Sequence, residues 1–231
     1  MSATAAVQVA IFLIPLSYGV PAGPLAAASL IIAGVWVATA SAVFAAGPNS
    51  ALSGVLRGGC VADATVVLLL VLWRMTPVVT FTAAVKIYCI YASVSLCAAA
   101  LVRVARTARV RYLCAVIAAT ALTAIQAGLF WLPGLLQLFE VRSKSAVAGL
   151  WLRANPLYGA FSAIAEESRF VWHYAELMYR ITPLGEDIAV PSVQWWEPMA
   201  IHLVLAAGVA AWSVVGRRRL DYLRPDVSSE R

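Results

Sequence analysis

The chain is 231 residues long, 62% hydrophobic and only 12% charged, with a formal net charge of +6. Soluble domains carry roughly 25% charged residues, so too few polar side chains are present to face water, and lipid must cover much of the surface. The basic residues gather at the ends of apolar runs, Arg103, Arg106, Arg109 and Arg111 in one group and Arg217, Arg218, Arg219 and Arg224 in another. With no basic face interleaved with aromatics, nucleic acid is excluded as a partner.

A helix crossing the hydrocarbon core needs about 20 mostly apolar residues. Residues 5–22 form the first candidate span, interrupted by Pro15 and Gly19. It is expected to be retained, because the basic n-region of a secretory signal is missing. Pro21, Gly23 and Pro24 turn the chain into span two, 25–46, which Gly47-Pro48-Asn49-Ser50 ends. A loop over 47–60 follows, with Arg57 as its only charge. Span three is 61–76 and span four 82–102, divided where Pro77 disfavours helix at Thr76. Span five is 112–138, bent near Pro133-Gly134, and span six 198–215. The fold class is therefore an all-α integral membrane protein, a single polytopic domain of six transmembrane helices.

Orientation follows from the arginines, since cytoplasmic loops carry an excess of Lys and Arg. Two spans separate the 103–111 cluster from the 217–224 cluster, so both lie on one side, the cytoplasmic one. Counting back puts loop 47–60 inside, the 76–82 tip outside, and both termini in the cytoplasm, most simply of a bacterial inner membrane. Segment 139–197 then lies outside, where acidic residues outnumber basic ones, seven to five. It is too long for a passive connector. Leu157 to Ile181 has the pattern of an amphipathic helix or a broken pair, with Glu166, Arg169, His173, Glu176 and Arg180 along one stripe. Trp195-Trp196 suit the headgroup boundary.

Charges at membrane depth are costly. Arg74 and Lys86, flanking the tip between spans three and four, either reach the surface along their aliphatic stems or line a cavity. Asp63 suits the start of a helix, where the dipole favours a carboxylate. His202 lies within span six and His173 on the outer stripe, so both could sit near one membrane face, although axial haem ligands usually stand on facing helices; His173 with Glu176 is half a metal site at most. Cys60, Cys89, Cys97 and Cys114 have no zinc-like spacing and lie in or beside spans, as small buried hydrophobes do. No GxSxG, HExxH or phosphate-binding loop occurs. No cofactor and no catalytic activity are therefore expected, and any pumping would draw its energy from another polypeptide.

Three stretches resemble the six-span permeases of the ATP-binding-cassette type-2 exporter family. They are Tyr88–Tyr112, a small-residue span ending in a basic segment; Ala154-Asn155-Pro156-Leu157-Tyr158, similar to that family's outer Asn-Pro element; and Trp195–Leu220, similar to its last span and basic tail. The resemblance implies paired permease chains above cytoplasmic ATPase subunits. Loops 47–60 and 103–111 would carry the coupling, making Arg57, Arg103, Arg106, Arg109 and Arg111 candidate partner contacts. Helices around 155–181 would shape the exit. The chain departs from the family pattern at Met1–Val9, which holds no basic residue, and at the nearly uncharged loop 47–60. The rival reading is a non-transporting anchor or scaffold subunit of a larger respiratory or photosynthetic complex. Ala98–Ala100 and Ala206–Ala211 suit either, because small residues let helices approach closely.

Overall fold

The computed structural model describes residues 2–18, 22–47, 51–136, 138, 141–167 and 193–222, and among them all regular structure is helical. The helices are α1 (Ser2–Ser17), α2 (Ala22–Ala46), α3 (Ala51–Gly59), α4 (Ala64–Met75) and α5 (Phe81–Arg103). They continue as α6 (Ala108–Gln126), α7 (Gly128–Leu136), α8 (Val141–Ala154), α9 (Pro156–Glu167) and α10 (Trp196–Tyr222). Three stretches, Pro24–Ala46, Phe81–Arg103 and Ala108–Gln126, are long and apolar enough to cross a bilayer. At about 1.5 Å per residue the two longer ones reach about 35 Å, beyond a hydrocarbon core of about 30 Å.

α5 is the hub. It packs against α2, α3, α4, α6, α9 and α10, and Ile87, Ile90, Val94, Ala98 and Val102 on it are fully buried. Thr80 starts α5 and Thr107 starts α6, each hydroxyl accepting the backbone N–H three residues on, which satisfies one of the orphan donors of a helix start. Outward-facing positions are apolar too: Val116, Ile117, Val204 and Trp212 are among the most exposed side chains. A face of this size without polar cover is what lipid contact allows and water does not.

The third predicted span, 61–76, opens in a turn and continues as α4, while the predicted loop before it holds α3. Gly54 and Gly58 on α3 face the groove between α2 and α5, where a Cβ on Gly58 would meet that of Ala99 at 2.7 Å and the Ser41 carbonyl oxygen at 3.1 Å. Ser95 seats the same turn by donating to the Gly58 carbonyl at 2.6 Å, and its oxygen lies 2.6 Å from that of Ser41. α3 thus climbs along α5 from the Arg103 level to the Ser95 level, where the sequence suggested a loop. The joint at residues 60–63 is tightened into i to i−3 hydrogen bonds, among them Val61 to Gly58, Asp63 to Cys60 and Ala64 to Val61, the geometry of a 3₁₀ turn. α4 then continues for 12 residues, about 18 Å, too short to span the core without α3.

The fifth predicted span is interrupted at Ala127, and Pro133-Gly134, where the sequence suggested a bend, lie within α7. The carbonyls that end α6 are taken by side chains, one near in sequence and one distant. Trp131 Nε1 donates to Ala124 at 3.0 Å, and Asn155 Nδ2 donates to Ile125 at 2.8 Å and to Gln126 at 3.2 Å. α8 folds back on α7, with Trp131 edge-on to Trp151 and with Leu132, Leu136, Ala148 and Leu152 buried together. It returns the chain to the end of α6, from which α9 departs.

Candidate functional site

Among the described residues, four polar centres are built into this bundle. The first lies where α8 meets α9. Asn155 caps α9, its Oδ1 accepting from the backbone N–H groups of Leu157 at 2.9 Å and Tyr158 at 3.2 Å while its Nδ2 holds the end of α6. Pro156 follows at the first helical position, where a missing N–H costs nothing. Beside it, Gln126 Nε2 donates to the Gly34 carbonyl at 3.1 Å, and Tyr91 donates its hydroxyl to the Leu30 carbonyl at 2.7 Å. Asn155, Gln126 and Tyr91 are all within 1% of complete burial. One node therefore ties α2, α5, α6 and α9 together through backbone carbonyls.

The second centre closes the opposite end of α9. Lys86 Nζ lies 3.0 Å from Glu166 and 2.6 Å from Glu167, and 5.6 Å from the centre of the Trp195 ring. Lys86, expected to reach the surface alone or to line a cavity, instead clasps α9 to α5 next to the start of α10. Arg153 at the end of α8 pairs with Glu197 on α10 at 3.1 Å.

The third centre is at the Gly47 end. Arg103 and Arg111 both donate to the Gly47 carbonyl at 3.2 Å, and the Arg103 guanidinium lies on Gly54 of α3. Arg103 is buried, whereas Arg106 and Arg109 are exposed. Of the five arginines expected to face a partner, the structure therefore turns one inward as a brace for α3. Arg57 is exposed on α3 and Arg74 at the end of α4.

The fourth is Asp63 in the joint. Its backbone is already helical, with φ −63° and ψ −26°, and its side chain makes no cap hydrogen bond. It accepts from the Tyr88 hydroxyl at 2.7 Å instead. The carboxylate expected to serve the helix start thus bridges α4 to α5.

Of the outer stripe, only Glu166 falls among the described residues; Arg169, His173, Glu176 and Arg180 lie outside them. In the described part of that segment, Pro156 to Ala160 and Ser162 to Ile164 are buried. Residues 157–165 carry no charge, so nothing resists burial before Glu166. His202 is buried, its Nδ1 2.6 Å from the Pro198 carbonyl one turn back. Among the described residues, no group of three His, Cys, Asp or Glu stands close enough to hold a metal ion. Cys60, expected to be buried, is exposed.

Residue types alone did not single out Gln126, Tyr91, Ser41 or Glu167. The Gly54-x-x-x-Gly58 spacing was the one available signal for the α3 seat. No family model, no curated protein and no solved structure matches the chain.

Proposed function

We propose that the chain is the permease-like membrane subunit of a multi-subunit transporter, with six membrane crossings, both termini cytoplasmic, and energy supplied by a separate ATPase subunit. In this reading α3, its joint and α4 together make the third crossing, α6 with α7 the fifth, and α10 the sixth. The observation that carries it is the seating of α3. A short helix at the Gly47 end is keyed into the α2–α5 groove by two glycines and held by Arg103. Displacement of α3 would pass to α5 by direct contact and to α4 through the 60–63 joint, the kind of element that converts a push from outside the bundle into a rearrangement within it. The exposed Arg106 and Arg109 beside it offer a basic surface for an acidic partner. At the other end, α8 and α9 enter the bundle as a hairpin tipped by Asn155, and the Lys86 clasp holds α9 shut. Irregular backbone inside a membrane protein is tolerated where protein or a cavity surrounds it.

Purification from native membranes under mild detergent, followed by mass spectrometry, tests this. A nucleotide-hydrolysing protein is expected in stoichiometric amount, and Arg106→Glu with Arg109→Glu should release it. Recovery of redox or pigment-bearing subunits in its place would establish the anchor reading instead.

A further inference from the structure

The break in α3–α4 opens a groove on the bundle's outer wall, and its lining has the chemistry of a lipid site. The groove encloses about 470 Å³ between α2, α3 and the joint, within the size range of small-molecule sites. Trp36, Phe44, Leu56 and Val61 give it apolar walls, and Arg57 is the one charged residue among the described residues that line it. Trp36, Phe44 and Leu56 keep substantial exposure, so the groove opens sideways, away from the α5 hub. Arg57 stands one helical turn from Gly54, which touches Arg103, and Arg103 marks the Gly47 end of the bundle. Its side chain can therefore reach the polar boundary of that leaflet while its stem stays against apolar surface. No acidic residue of this chain is paired with it in the ion pairs of the described residues.

We infer that this groove is a binding site for an anionic phospholipid of the leaflet at the Gly47 end. The acyl chain lies along Trp36 and Phe44 and the phosphate meets the guanidinium of Arg57. A guanidinium matches phosphate oxygens in paired hydrogen bonds, and basic pockets between membrane helices are recurrent seats for acidic headgroups. A bound chain would also fill the space left where the α3–α4 helix is interrupted and so brace the 60–63 joint. The inference rests on the membrane setting of the chain and holds whether or not the protein transports anything.

Cys60 lines the same groove and is exposed, which supplies a reporter. Cys89, Cys97 and Cys114 are replaced by Ala, and the full chain is placed in nanodiscs of phosphatidylcholine with or without phosphatidylglycerol. N-ethylmaleimide modification of Cys60 is then timed. Phosphatidylglycerol should slow labelling roughly fivefold, the enrichment given by one basic residue's attraction for an acidic lipid. Arg57→Gln should abolish the difference, Arg57→Lys should restore much of it, and Arg74→Gln, at the far end of α4, should leave it intact. Equal rates in the two lipids, or a difference that survives Arg57→Gln, would show ordinary boundary lipid and overturn the assignment. So would protection that rises with the number of protein copies per disc, which would mark a second chain as the occupant. Thermal melts of each variant separate a lost site from a lost fold.

Discussion

Asn155 makes four hydrogen bonds with one side chain, two donated and two accepted. Loss of a helix N-cap costs about 0.5–2 kcal/mol, and each buried group left without a partner costs about 1–3 kcal/mol. Asn155→Ala is therefore expected to lower stability by about 2 kcal/mol or more, read as an earlier thermal unfolding transition in detergent. A melt indistinguishable from the unchanged chain would mean that relaxed backbone or water replaces all four bonds. Asn155 was legible in the sequence as part of an Asn-Pro element, and its two bonds to α9 are the local ones of a helix cap. Its two partners on α6 were not legible, because a 30-residue separation between Asn155 and Ile125 leaves no periodic trace.

At the scale of elements, two glycines of similar appearance in the sequence have opposite roles. A methyl on Gly58 would drive into Ala99 and the Ser41 carbonyl, whereas one on Gly208 in α10 would meet nothing within 4 Å. Overpacking costs about 1–3 kcal/mol, while exchanging a helical glycine for alanine in open space gains about 0.5–1 kcal/mol. Gly58→Ala should destabilise and Gly208→Ala should not, and paired melts in one detergent would check the sign of each. A stable Gly58→Ala protein would show that α3 rides loosely in its groove. The same contrast explains what could be read in advance. α2 and α5 emerge within a few residues of their sequence limits because length and hydropathy define them locally. α3 was hidden because its nine residues include three glycines, which lower intrinsic helix preference. Only contact with α2 and α5 makes that composition an advantage.

For the molecule as a whole, the six-crossing scheme places residue 106 and residue 138 on opposite faces. Both are exposed, Leu138 to 81%. In a chain cleared of its own cysteines, Arg106→Cys should react with a membrane-impermeant maleimide only from the cytoplasmic side, and Leu138→Cys only from the other. Labelling of both from one side would remove the scheme. Hydropathy made the long apolar helices legible, since lipid solvation acts on every residue of a span. The clasp, the node and the joint depend on which spans are neighbours, and hydropathy is blind to adjacency. The position of α5 at the centre of the bundle also has a consequence for biogenesis. While the ribosome is still making residues before Phe81, α2 has no counterpart to complete the groove, and the glycine face of α3 has only half of its seat. The early third of the nascent chain must therefore wait, half-assembled, for α5 to arrive. Truncation anywhere upstream of Phe81 would leave an intermediate with its keystone missing.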